Sequence, residues 1–198
     1  MTNKIFPASK IQYTLYHYTT KENAEQILRN GFKPASEIKT ESIEYTNKFD
    51  GVFFTQSEHC YWNDPNLVRI AVKVNMQNPL DISSFPSDPE QYTSEQQKLA
   101  QQIEQYLAQG EENHDKITGG KYDRRILAIE TSKIFQNAGY DGIIFNDFDG
   151  HVEHVVFDQK NIHILNDKSL NFNRASENII TKAKNTNKLI NSANQHDI

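Results

Sequence analysis

The sequence predicts an α+β protein in which a mostly antiparallel strand set is flanked by helices. Three observations predict it. Runs rich in aromatic and β-branched residues follow one another as hairpin-style neighbours rather than in regular βαβ units. Two long stretches instead carry apolar residues at helical spacing between recognisable caps. No glycine-rich phosphate loop follows a strand, since "TGGK" (118–121) lacks both the spacing and the preceding strand.

Taken in order, "QYTLYHY" (12–18) reads as the first strand. "TTKENAEQILRNGF" (19–32) reads as a helix with Thr19 as cap, Glu22 completing a capping box, Ala24, Ile27 and Leu28 facing inward, and Gly31 as the stop. A polar loop is expected over 34–49. "GVFFT" (51–55) is a second strand leading into a short helix or turn at "SEHCYW", and "LVRIAVKVNM" (67–76) is a third whose continuation ends at Pro79. The clearest helix is 93–110, with Leu99, Ile103, Tyr106 and Leu107 on one stripe over the sheet, and "EENHDKITGGKYD" (111–123) follows as a loop. A helix over 125–139 ends at Gly139, with Glu130 on a solvated position. "YDGIIF" and "HVEHVVFD" then form a hairpin, for which Asp149-Gly150 supplies the turn. Residues 166–198 contain eight Asn and few apolar residues, which predicts a polar tail, flexible or weakly helical, outside a domain over 1–165.

Composition narrows the function. A chain of 198 residues can bury a substantial core, and a formal charge of −5 gives no bulk footprint for nucleic acid or anionic membrane. A single cysteine, Cys60, forms no internal disulfide and fits a reducing compartment. The N-terminus shows no signal-peptide pattern, and no stretch approaches the ~18 apolar residues of a membrane span, so a cytoplasmic site of action is expected.

Three separated blocks share one resemblance. "LYHYTTKENAEQILRNGF", "GVFFTQSEHCYW" and "VEHVVFDQKNI" resemble, in order, the three conserved blocks of ADP-ribosyltransferases of the diphtheria-toxin and poly(ADP-ribose) polymerase type, the His–Tyr–Glu class. "VNMQNPLDI" and "GYDGIIF" are similar to stretches of such domains in phage and bacterial toxin-like proteins. The resemblance spans roughly 13–165 and implies a split, mostly antiparallel sheet and the use of NAD as a substrate, without a metal.

The chemistry fits a carboxylate near the nucleotide sugar. Cleaving the nicotinamide–ribose bond builds positive charge on the ring, as in glycoside hydrolysis. The resemblance gives Glu153 the tasks of stabilising that charge and binding the ribose 2′-hydroxyl, and of activating the acceptor. It gives His17 the ribose hydroxyls, the Tyr18 backbone the nicotinamide amide, and the Thr19 hydroxyl the same amide. Phe53 falls where a stacking tyrosine is usual, and Tyr61 is the nearest second stacking ring, ahead of Trp62. Tyr18 stands where relatives have glycine, so its side chain must turn away from the ligand.

Each assignment has a plainer counterpart. A strand histidine is often structural, and one of Phe53 and Phe54 must be core because successive side chains face opposite ways. In "HVEH", His151 and Glu153 share a face while His154 does not, which is not metal-ligand spacing. The expected function is mono-ADP-ribosylation of a macromolecule by a bacterial or phage toxin or effector, with protein favoured over RNA or DNA as acceptor and an antitoxin or inhibitor as a further partner. The alternatives are an NAD glycohydrolase and a catalytically silent NAD- or ADP-ribose-binding module. The catalytic reading expects the strands bearing His17 and Glu153 to lie side by side, with imidazole and acid gripping one sugar.

Overall fold

The structure is a computed structural model that describes residues 6–38, 49–58, 64, 66–147 and 150–165. The chain divides into Met1–Leu165 and Asn166–Ile198. The predicted tail, together with Cys60, Tyr61 and Trp62, lies outside the described residues.

Among the described residues of the first unit, seven strands form one sheet: β1 (Leu15–Thr20), β2 (Val52–Thr55), β3 (Leu67–Val74), β4 (Pro79–Asp81), β5 (Gly142–Asn146), β6 (Val152–Val156) and β7 (Ile162–Ile164), in the order β4-β5-β6-β2-β1-β3-β7. All neighbours are antiparallel except β4 and β5. Three α-helices accompany the sheet among the described residues: α1 (Lys21–Asn30), α2 (Ser94–Thr118) and α3 (Arg124–Asn137). The α+β expectation therefore holds.

Chain connectivity forces the sheet to curl. β3 and β4 lie five strand positions apart, about 24 Å in a flat sheet. The link from Val74 to Pro79 reaches about 18 Å at most. Only a sheet bent back on itself satisfies both. The bend gives an inner face that gathers residues from strands distant in order: Leu15, Phe54, Val72, Ile144 and Val156 share one core, joined by Ile162 and Ile164 and closed by Ala24 and Ile27 of α1 with Phe32. The outer face at the β4–β5–β6 end packs Leu80, Ile143 and Val155 against Phe135 of α3 and Leu99, Ile103, Tyr106 and Leu107 of α2. The predicted stripe of α2 is thus the one that covers the sheet.

Several boundaries move, each for a physical reason. β1 runs over 15–20 rather than 12–18, because its ladder with β3 continues to Thr19↔Val68 and Thr20↔Leu67. The cap of α1 is therefore Thr20, whose hydroxyl accepts from the Asn23 N–H at 3.3 Å, and not Thr19. Gly31 does end α1, at φ 79°. Leu28, expected inside, is 44% exposed. Pro79 starts β4 instead of ending β3, and its entry is fixed by the Asp141 carboxylate, which accepts from the Gln77 and Asn78 N–H groups.

The largest correction concerns α2, which continues through Gly110 to Thr118 where a loop was expected. Gly110 is not a stop but the point where α2 and α3 approach: a Cβ there would lie 2.5 Å from Thr131 Oγ1 and 3.0 Å from its Cα. The actual stop is Gly119, in the left-handed region at φ 65°. Buried His114 then clasps the helix pair, its Nε2 accepting from the Asp123 N–H at 2.9 Å. Glu130, expected in solvent, is only 9% exposed and takes Lys133 at 2.7 Å.

Helix propensity and packing make opposite predictions at position 110. Propensity alone has Gly110→Ala stabilising by up to ~1 kcal/mol, whereas overpacking against Thr131 costs about 1–3 kcal/mol. The close approach decides the sign: Gly110→Ala is expected to lower stability in urea unfolding without a change of secondary structure. A gain would show that the helices separate freely.

Candidate active site

The three predicted blocks fall on β1, β2 and β6, which are consecutive in the sheet, with β2 in the middle. The strands of His17 and Glu153 are therefore not direct neighbours, which corrects the expectation. The register carries one row across all three: Tyr16 is opposite Thr55, and Thr55 is opposite Glu153. Strand alternation turns these three side chains to the outer face. The adjacent row turns inward and contains His17, Phe54 and His154.

β1 and β2 meet at a seam. Their register rests on Tyr16↔Thr55, whereas β1 and β3 pair from Leu15↔Val72 to Thr20↔Leu67. Immediately past that pair, the His17 ring reaches across, and its Nδ1 lies 2.9 Å from the Phe53 carbonyl oxygen. A carbonyl only accepts, so Nδ1 carries the hydrogen and the neutral ring offers Nε2 as an acceptor. Burial pushes the His17 pKa down, with the Phe53 carbonyl acting against it, and keeps the ring neutral. Phe32 and Phe54 hold it edge-on at 5.2 and 5.9 Å between centroids.

Glu153 approaches from the other side. It is half-buried between Thr55 and Phe145 in the register. Burial, and secondarily the Asp147 charge, raise its pKa, while His151 acts in the opposite direction. Asp147 is held in the hairpin, accepting from the His151 N–H at 2.8 Å. The structure brings the strands of His17 and Glu153 within one strand of each other but does not aim the two side chains from one face.

Phe54 is the core residue of its pair, 2% exposed, while Phe53 is partly buried beside the second core. Thr19 sits in the β1–β3 ladder, its hydroxyl released from capping. The Tyr18 ring turns outward and its hydroxyl donates to the Ser57 carbonyl at 3.0 Å. Sequence reasoning missed Tyr16 and Thr55, which alternation exposes only once the strand order is known. It also missed His154 as a core group. That ring is 0% exposed, its Nε2 is 2.8 Å from the Tyr13 hydroxyl, and its Nδ1 has no partner among the described residues. No group of three or more His, Cys, Asp or Glu suited to a metal occurs among the described residues. No helix among them is long and apolar enough to cross a membrane.

The chain matches no protein-family model, no curated protein and no solved structure.

Burial holds the His154 pKa at about 4, below its ordinary 6.5, so the unfolded chain takes up this proton before the native state does. Stability from this group is complete above pH 6.5 and is lost as pH falls toward 4, by roughly 3 kcal/mol. His17 contributes with the same sign. Urea unfolding at pH 7 and pH 4 is expected to show this loss in the native sequence and a smaller one in His154→Gln. Equal losses would overturn the assignment.

Proposed function

We propose that the protein is an NAD-dependent mono-ADP-ribosyltransferase that moves ADP-ribose to a macromolecular acceptor, with protein as the favoured acceptor class. The observation that carries the reading is the convergence of three sequence blocks on three consecutive strands, at the seam between β2 and β1. The nicotinamide ribose lies at the seam, where a neutral His17 Nε2 accepts from a ribose hydroxyl. The Glu153 carboxylate accepts from the 2′-hydroxyl and stabilises the cationic ring as the bond to nicotinamide lengthens. Nicotinamide leaves with the bonding electron pair, and the acceptor nucleophile attacks the same carbon. Its proton passes to Glu153, whose raised pKa suits a general base. Phe53 borders the nicotinamide, and the Thr19 hydroxyl and Tyr18 backbone hold its amide. Tyr61 is proposed as the second stacking ring from the sequence resemblance alone.

A second reading is an NAD- or ADP-ribose-binding module without turnover. It is favoured by the opposite facing of His17 and Glu153 across β2. Nicotinamide release separates the two. For the enzyme, incubation with NAD is expected to release nicotinamide and label a discrete macromolecule, and Glu153→Gln is expected to lower that rate by about 10²–10³-fold. Free ADP-ribose without labelled macromolecule would make water the acceptor, and no nicotinamide release despite NAD binding would leave the binding module.

The pH dependence follows from Glu153. As the ionised form is the active one, kcat/KM is expected to fall with decreasing pH through an acid limb lying above the ordinary glutamate range. Asp147→Asn removes the neighbouring negative charge and should move that limb downward. A limb that stays put would remove Asp147 from the electrostatics of the site.

A further inference from the structure

We propose that Arg69 is the anchor for the diphosphate of the nucleotide, on the side of the sheet that carries Glu153, an inference that rests on the NAD or ADP-ribose reading above. A dinucleotide brings two negative charges, and this chain has neither a glycine-rich loop to cradle them nor a positive total charge. A side-chain cation on the face that carries Glu153 would meet them. Arg69 lies on β3 opposite Tyr18, and Tyr16 lies opposite Ala71, so alternation places Arg69 on the same outer face as Tyr16, Thr55 and Glu153. In a flat sheet its Cα would be on the order of 16 Å from that of Glu153, a span that an arginine side chain and an extended dinucleotide cover together.

The guanidinium is already oriented. It lies over the Tyr16 ring, 4.9 Å from the centroid, and Nη1 donates to the Glu58 carbonyl at 3.0 Å. The Glu58 carboxylate stands 3.8 Å away and accepts from the Tyr16 hydroxyl at 2.8 Å through its other oxygen. The Nε and Nη2 hydrogens of Arg69 have no partner among the described residues, and the side chain is 28% exposed. Two free donors on a rigid planar fork, steadied on a ring, match a phosphate bidentately. Lys73, on the same face of β3, is turned aside, its Nζ donating to the Gln12 carbonyl at 2.7 Å.

The test is calorimetric titration of the full chain with ADP-ribose and, separately, with sodium pyrophosphate, for the native sequence, Arg69→Gln, Arg69→Lys and Glu58→Gln. Arg69→Gln is expected to weaken both ligands at least tenfold, and Arg69→Lys to recover part of the loss because charge returns without the fork. Glu58→Gln is expected to bind as tightly as the native chain or more so, since a competing anion is gone. Equal binding of ADP-ribose by native and Arg69→Gln protein overturns the anchor while leaving the NAD reading intact. Loss in Glu58→Gln equal to that in Arg69→Gln also overturns it, by making the cluster structural. Arg69-dependent pyrophosphate binding without ADP-ribose binding supports the anion site and sinks the NAD reading. No binding of either ligand by the native chain sinks both.

Discussion

The junction between β1 and β2 is the constraint on which the rest of this molecule depends. A continuous ladder there would make the sheet uniform, with each strand edge used up by its neighbour. Instead one opposed pair, Tyr16 and Thr55, carries the register, and the next contact is made by a side chain, His17 Nδ1 to the Phe53 carbonyl. The imidazole thus does two things with two nitrogens. One satisfies a backbone carbonyl left by the lapsed ladder, and the other is left with a lone pair. Removing the ring would leave that carbonyl without its bond and the two parts of the sheet with a weaker tie.

The pleat then sorts chemistry by face. His154 and Glu153 are consecutive, yet one lies fully inside the curl and the other borders the outer face. A single cause, the loss of hydration by the charged form, moves their pKa values in opposite directions, down for the base and up for the acid. The functional weights follow from that sorting. A neutral histidine sealed under Tyr13 belongs to stability, whereas the Glu153 carboxyl is only half-buried and feels the charge of Asp147. The two consecutive residues are therefore separated by face as well as by charge, with His154 in the core and Glu153 at its border.

What was legible in the sequence was whatever local chemistry decides. The hairpin of β5 and β6, the α1 stop at Gly31 and the apolar stripe of α2 needed only turn residues and periodicity. What was not legible depended on partners distant in the chain. Thr19 and Thr20 are equivalent as caps by local chemistry, and the ladder to β3 chooses between them. Gly110 looks like a stop until Thr131 is placed against it. Pro79 looks like a strand end until Asp141, more than sixty residues later, collects the N–H groups before it. The candidate site behaves likewise: the blocks could be named in order, but that β2 would stand between His17 and Glu153 required the sheet.

The seam also bears on the tyrosine at position 18. In an antiparallel sheet, backbone N–H and C=O groups lie in the plane of the sheet and alternate between the two neighbouring strands, while the side chains point to its faces. Past Tyr16, β1 pairs with β3 while its ladder with β2 has lapsed. A side chain at position 18 therefore leaves the sheet plane, and a tyrosine is compatible with a position that is glycine in the ADP-ribosyltransferases the sequence resembles. The condition is that its ring be kept clear of that edge. The hydrogen bond from the Tyr18 hydroxyl to the Ser57 carbonyl meets it by fixing the ring on the outer face, alongside Tyr16 and its stacked arginine. The same bond ties β1 to the chain leaving β2, so Tyr18 also braces that segment.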